Sequence, residues 1–244
     1  MIITKSVMMM SKLLNILSKP TAFVLAAGLL TAPALPQAVM AQTTTQKIAA
    51  SDAFPGLQKF LSLPSGERSQ VNVYYVLRIK KCDSSQVRLT LTSGGTTTPL
   101  TIAGDGRVTP LPNAAQLSNG TVNISGPSTC VVGPKVKVFS TQGLKTEYDA
   151  AGLATGIKQG NAAMTKIAGV MAVALPKLDR VHFIGGGEAV AEFANGQKKP
   201  LPRTGNNGEY PAGTPYFVPS QMGGAVKIHL SSTPRAVMFD NPPK

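Results

Sequence analysis

Apolar residues recur along the chain with two different periods, and each period predicts a different kind of element. A period of two, typical of half-buried strands, runs through 71–80 and again through 86–92. Shorter runs between glycine and proline turns predict further strands. These cover 99–103, 122–125, 136–140, 180–184, 189–193, 226–230 and 236–239. The pattern therefore predicts a mainly β protein.

A helical period is present only in 149–175, between these two groups of strands. Its apolar positions fall on one stripe, formed by Leu153, Ile157, Met164, Ile167, Met171 and Leu175. Three glycines weaken the first half of this helix, since each costs about 1 kcal/mol relative to alanine. We therefore expect Asn161 to cap a stronger second half, 162–174, and Pro176 to end it.

The three helical glycines, Gly152, Gly156 and Gly160, have the spacing that allows close approach in pairs of membrane helices. Lys158 and Lys166 interrupt the apolar run, and the uninterrupted parts are too short to span a bilayer. The sequence favours a slim helix that lies on a β-sheet. A membrane-active or self-associating helix and a partly disordered linker remain the alternatives.

Turn residues on either side of the helix echo one another. The spacing of Gly95, Pro99, Leu100 and Gly104 is repeated by Gly196, Pro200, Leu201 and Gly205. This predicts a mainly β (α+β) fold with two similar antiparallel sandwich or open-barrel units, 67–145 and 179–240, joined by one central helix in 146–178. A leader with a short helical turn, 42–66, precedes them. A true duplication and two unrelated hairpins with similar turn chemistry both explain the echo.

The first 41 residues have the composition of a secretory signal peptide. Lys5, Lys12 and Lys19 form a basic region without acidic residues, and an apolar segment, 22–30, follows. Val39 and Ala41 have the small-x-small form of a cleavage site. We therefore expect an exported chain of about 200 residues, periplasmic or extracellular, with no later transmembrane segment.

The remaining chain is basic. Of the 24 lysines and arginines three lie in 1–41, whereas none of the 11 acidic residues does, which leaves a formal charge of +10. Such an excess favours contact with an anionic envelope polymer or lipid surface. A scattered basic surface that only keeps the protein soluble is the simpler interpretation. Nucleic acid is not an expected partner, because no binding motif accompanies the charge.

Cys82 and Cys130 are the only cysteines. In an exported chain such a pair predicts a structural disulfide. In the chain-entropy model, closing a loop of this length contributes about 4 kcal/mol. The CxxC spacing of redox proteins is absent, and two cysteines with two distant histidines are too few for a typical metal site.

No catalytic, cofactor or metal-binding residue is predicted. His182 and His229 alternate with apolar neighbours in different predicted strands, so nothing in the sequence brings them together. A loop rich in proline and glycine carries Tyr210, Tyr216 and Phe217. Such aromatic side chains could contact a sugar or peptide, or fold back over the sheet.

These observations favour a non-enzymatic exported envelope protein with a binding or structural role, in contact with anionic material. The first alternative is an uncharacterised hydrolase that acts on cell wall or polysaccharide. The second is a protein that inserts into membranes or self-associates through the glycine-spaced helix. The sequence specifies neither a ligand nor an oligomeric state.

Overall fold

A computed structural model describes residues 42–169, 175–206 and 209–242. The predicted signal peptide and residues 170–174 of the predicted helix lie outside this part of the chain. As predicted, the described residues form a mainly β structure with three antiparallel sheets and few helices. The strands are β1 Thr43–Ala49, β2 Val71–Lys80, β3 Arg88–Ser93, β4 Thr96–Ile102, β5 Val108–Thr109, β6 Thr121–Pro127, β7 Val131–Ser140, β8 Glu147–Asp149, β9 Arg180–Ile184, β10 Ala189–Phe193, β11 Lys198–Pro200, β12 Tyr216–Phe217, β13 Ala225–Leu230 and β14 Ala236–Asp240. The α-helices are α1 Ala50–Ala53, α2 Leu57–Leu61, α3 Ala114–Asn119 and α4 Ala150–Ala168.

The strands are distributed over an N-terminal sheet, a shared sheet and a C-terminal sheet. The N-terminal sheet has the order β1-β6-β3-β4-β5, and the C-terminal sheet has the order β11-β10-β13-β8. The shared sheet, β12-β9-β14-β7-β2, takes strands from both of the predicted units. The arrangement as two separate sandwich or barrel units is therefore not confirmed, because the predicted connecting segment does not divide the sheets.

The long helix α4 begins earlier than Asn161. Its N-cap is Asp149, whose carboxylate accepts hydrogen bonds from the backbone N–H groups of Ala151 and Gly152 at 3.3 and 2.6 Å. Asn161 lies inside the helix, and its side-chain amide bonds the backbone N–H and C=O of Leu178 at 2.9 Å each. The predicted cap was therefore wrong, because this amide holds the segment that follows the helix.

Two of the helical glycines are explained by the side chains that pack against them. A Cβ atom on Gly156 would lie 2.4 Å from Cζ of Phe239, and one on Gly160 would lie 2.7 Å from Cδ1 of Leu178. Only glycine lets the helix approach so closely, and this contact outweighs the intrinsic helix penalty. Among the described helices, none is long and apolar enough to cross a membrane.

The polar leader begins with an edge strand that the sequence pattern did not predict. All seven residues of β1 pair with β6, from the Thr43–Pro127 pair to the Ala49–Thr121 pair. Threonine has a high strand propensity, so a polar strand at a sheet edge is physically reasonable. The expected helical turn after the leader is present as α1 and α2, with Leu57 and Phe60 buried.

The predicted disulfide is confirmed. Cys82 and Cys130 are bonded, with their Cα atoms 5.3 Å apart and a separation of 48 positions in sequence. They flank the end of the β2–β7 ladder, where Lys80 pairs with Val131. The bridge therefore fixes one end of the longest strand pair in the shared sheet.

Candidate functional site

Two neighbouring rows of side chains cross the shared sheet and point to opposite faces. One row contains Val73, Val138, Phe239, Val181 and Phe217 as successive cross-strand partners. It lies on the inner face, which is covered by α4. The adjacent row contains Asn72, Phe139, Met238, His182 and Tyr216. It lies on the opposite, outer face, because successive strand residues alternate in direction.

A cleft of about 590 Å³ lies on the outer face. Its floor is apolar and includes Phe139, Ala236 and Met238. One wall is the turn 103–107 and the other is the segment 209–211. A concave site with an apolar floor and polar groups on its walls is the usual form of a ligand-binding site.

Lys137 is the most buried cation of the cleft, and its residue is only 9% exposed. Its Nζ lies 2.8 Å from Oε1 of Glu209, which Lys135 also contacts, and 5.3 Å from the ring centre of Tyr210. Burial lowers the pKa of Lys137, although the Glu209 carboxylate opposes this effect. For Glu209, burial raises the pKa, but hydrogen bonds from the two lysines outweigh it and the net pKa falls. The two lysines therefore share one carboxylate, which leaves an excess of positive charge.

His182 is packed beside the cleft under Tyr210. The two rings are stacked with their centres 4.2 Å apart, and the Tyr210 hydroxyl donates to the Asp240 carboxylate. Burial lowers the pKa of His182 to about 4, so the imidazole is neutral near pH 7. Burial also raises the pKa of Tyr210, and the Asp240 carboxylate adds to this shift. Within the described residues, Nδ1 of His182 is buried without a hydrogen-bond partner.

Arginines surround the same face. Arg107 contacts Asp105 at 2.6 Å and lies 5.6 Å from the ring centre of Tyr74. Arg235 lines the cleft and pairs with no carboxylate of the described residues. The cleft thus combines guanidinium groups with aromatic rings, a combination suited to anions that also carry an apolar surface.

Of the three predicted contact residues, the structure leaves two beside this site. Tyr210 lines the cleft. Tyr216 packs against His182, with the two ring centres 5.3 Å apart, and the Arg180 guanidinium lies 4.9 Å from the centre of the Tyr216 ring. Phe217 is only 2% exposed, because its pairing with Val181 turns it to the inner face. Phe217 is therefore a core residue, which corrects the expectation that it lies on a contact loop.

Sequence reasoning missed Lys135, Lys137, Arg107 and Glu209. The alternation of Lys135 and Lys137 with Val136 and Val138 was the available signal, since it places two cations on one face of a strand. Nothing local indicated that Glu209 would meet them, because that contact joins residues more than 70 positions apart.

The two histidines lie in different sheets. His229 is on the exposed side of the C-terminal sheet, where Nε2 contacts Glu192 at 2.9 Å and Nδ1 lies 3.5 Å from Glu147. Lys198 and Lys227 pair with the same carboxylates. This cluster is a set of mutually neutralising surface charges, in contrast to the enclosed His182.

In the described residues, no group of three or more histidine, cysteine, aspartate or glutamate side chains is placed to hold a metal ion. Comparisons with family models, curated proteins and solved structures gave no match.

Proposed function

We propose that this chain is an exported, non-enzymatic protein of the cell envelope that binds anionic envelope material in the outer-face cleft. The observation that carries the proposal is the cleft itself, which combines Lys137, Arg107 and Arg235 with Tyr210 above an apolar floor. Cations recognise phosphate or carboxylate groups, and the apolar floor accepts the less polar part of the same ligand. A polymer of sugars or polyols with acidic substituents has both properties.

The excess positive charge of the cleft supports the binding of an anion. Lys137 and the nearby Lys135 face a single carboxylate, Glu209, and Arg235 is free of any described carboxylate. Arg107 has a partner, Asp105, but the two side chains are 34% and 51% exposed, so the ion pair is weak. An incoming phosphate would compete with Asp105 for Arg107, whereas no described carboxylate competes with it for Arg235.

Export is the second part of the proposal. The basic region and apolar segment of 1–41 support it, as does the disulfide, since such bonds persist in oxidising compartments. Production in a secreting host, followed by mass spectrometry, tests this directly. We expect an exported product that begins at Gln42 with oxidised cysteines, and an intracellular product that retains 1–41 would contradict it.

We also propose that the two halves arose by duplication. The order β4-β3-β6-β1 in the N-terminal sheet has a counterpart in the order β11-β10-β13-β8. Each half also begins with a strand that runs directly into a helix, β1 into α1 and β8 into α4. The ladder β2–β7 likewise corresponds to β9–β14, and β7 pairs with β14 where the halves meet.

If the halves are duplicates, β8 corresponds to β1, the first strand of the N-terminal half. The connection between β7 and β8 then joins the end of one half to the start of the other. Fragments 42–143 and 144–242 should therefore reassemble when co-expressed, because the exposed Leu144 lies at the new end. Fragments divided at 138–139, within β7, serve as the control and should not reassemble. Equal failure of both pairs would contradict the proposal.

Binding of a soluble poly(glycerol phosphate), measured by fluorescence titration of the 42–244 chain at two salt concentrations, tests the anion site. The double variant Arg107→Gln/Arg235→Gln should bind about tenfold more weakly, because two charge-assisted contacts are lost. Lys198→Gln/Lys199→Gln removes the same charge from the exposed C-terminal sheet edge and should change affinity less than twofold. Equal losses of affinity in both double variants would show that the interaction is non-specific electrostatic attraction.

A further inference from the structure

A second cavity lies on the opposite side of the shared sheet, between its inner face, α2 and the C-terminal half of α4. Its volume is about 290 Å³. The lining is apolar and includes Phe60, Val73, Val138, Ala163 and Met164. The hydroxyl of Tyr75, which also lines the cavity, is already used in a 2.6 Å hydrogen bond to the carbonyl of Pro55. The cavity therefore offers an incoming molecule little except apolar contact.

The cavity arises from small residues on the helix. Gly160 and Ala163 line the cavity, and a bulkier residue at position 163 would extend into it. Gly160 is closed on one side by Leu178, whose Cδ1 lies 2.7 Å from the position of a Cβ. One turn earlier in the helix the same inner face is closed, because Gly156 lies directly against the Phe239 ring. Within the described part of the chain, α4 thus packs tightly on the sheet at Gly156 and leaves an apolar space beside Ala163 and Met164.

A smaller, more polar cavity of about 240 Å³ adjoins the apolar one. Gly56 and Ile167 line both, and a Cβ on Gly56 would lie 2.8 Å from Cγ2 of Ile167. Ser51, Gln58 and Lys59 complete the smaller cavity. The Lys59 ammonium donates to the Ile167 carbonyl at 2.9 Å, and it pairs with no carboxylate of the described residues. An exposed cation without an ion-pair partner among the described residues therefore lies in the smaller cavity, next to the apolar one.

We propose that the two cavities form one site for a free medium-chain alkyl carboxylate. Its alkyl chain occupies the apolar cavity beneath α4, and its carboxylate lies beside Lys59. Ser51 donates a hydrogen bond to it, and Gln58 donates the amide hydrogen that it does not already donate to Ser118. An uncharged alkane leaves Lys59 without a partner, and a small anion leaves the apolar cavity empty. Only a ligand with both parts satisfies both, since burial of apolar surface supplies affinity and the charge fixes orientation.

This site is independent of the anion-binding cleft, because the two lie on opposite faces of the shared sheet. It also needs no chemistry beyond reversible binding. Calorimetric titration of the 42–244 chain with sodium decanoate below its micelle concentration is therefore a direct test. Decanol, which lacks the charge, and acetate, which lacks the chain, are the matched ligands.

We expect saturable binding of decanoate, weaker binding of decanol and none of acetate. Lys59→Gln should lower decanoate affinity about five- to tenfold and leave decanol affinity unchanged. Lys158→Gln, an exposed lysine on α4, is the charge-matched control and should bind decanoate as the wild type does. Equal decanoate affinity in Lys59→Gln and the wild type would overturn the assigned head-group position.

Filling the apolar cavity tests the other half of the site. Ala163→Phe should abolish binding of both decanoate and decanol, and Met164→Phe is a milder alternative if the first variant does not fold. Arg107→Gln/Arg235→Gln should retain full decanoate affinity, which separates this site from the proposed cleft. The proposal is overturned if wild-type protein does not bind decanoate, or if a folded cavity-filling variant binds it normally.

Discussion

The two faces of the shared sheet are built from the same strands but have different chemistry. On the inner face, Val138, Phe239 and Val181 meet a helix whose glycines allow direct contact. On the outer face, one residue away along the same strands, Lys137 and His182 are enclosed with Tyr210. The difference shows that strand alternation alone separates the part of the sheet that stabilises the fold from the part that can recognise a ligand.

The largest effect is expected on the inner face. Gly156→Leu places side-chain atoms where Phe239 now lies, and overpacking of this kind costs about 3 kcal/mol of the free energy of unfolding. Thr155→Leu, at the adjacent exposed position of the same helix, is the control and should change stability by less than about 0.5 kcal/mol. Urea denaturation of both variants provides the measurement. Similar stabilities would mean that the helix does not rest on Phe239.

Acidification should next distinguish the two faces through His182. Its pKa is about 4 in the folded protein and about 6.5 in the unfolded chain, so only the unfolded chain takes up this proton between these values. Stability is therefore fully present above pH 6.5 and falls by about 3 kcal/mol as the pH drops to 4. The charged groups that act on this ring include Asp240, Arg180, Lys137 and Asp179.

The matched variant for this titration is His182→Phe, which keeps an aromatic ring against Tyr210 and cannot take up a proton. Its unfolding free energy should depend less steeply on pH between 6.5 and 4 than that of the wild type. Parallel pH profiles would show that His182 is not held neutral by its surroundings.

A smaller loss is expected when the outer face keeps its rings but loses one hydrogen bond. Tyr210→Phe removes the donor to Oδ2 of the Asp240 carboxylate and should cost about 2 kcal/mol, since Oδ1 keeps its bond from the Asn241 backbone N–H but Oδ2 of this partly buried charge loses its hydrogen bond. Tyr74→Phe, on the same face, changes a hydroxyl without a hydrogen bond among the described residues and should leave thermal stability unchanged. If the two variants were equally stable, the Tyr210–Asp240 contact would contribute nothing.

The smallest effect is expected at the other histidine. His229→Gln removes one member of an exposed charge cluster in which Glu192 and Glu147 keep their lysine partners. Surface pairs of this kind contribute little and are screened by salt. The midpoint of thermal unfolding should not change measurably, and a marked decrease would contradict the assignment of His229 to an exposed, screened charge cluster.

The local sequence pattern was sufficient to predict the bounds of the strongly periodic strands. The bounds of β2, β9 and β10 were predicted as they occur, because their apolar runs are bordered by clear turn residues. β1 and β8 were missed because one is a polar edge strand and the other has three residues. The start of α4 was misplaced because an intrinsic glycine penalty was weighed without the sheet that these glycines contact.

The site was less predictable than the fold. Tyr210 was chosen because it is an aromatic residue on a loop, and Phe217 was chosen by the same rule, yet register buries Phe217. The burial of Lys137 depends on strands that pair across the two halves and on the distant Glu209. Such contacts have no signature in the local sequence, since they are created by the order of strands in the sheet.

The proposal that the outer-face cleft is the binding site is tested most directly by mapping amide chemical shifts while poly(glycerol phosphate) is added to the 42–244 chain. The account predicts that the largest changes cluster at Arg107, Lys137 and Tyr210 and saturate together, while Lys198 and Lys227 change little. Changes centred on the C-terminal sheet, or spread evenly over all lysines and arginines, would contradict it.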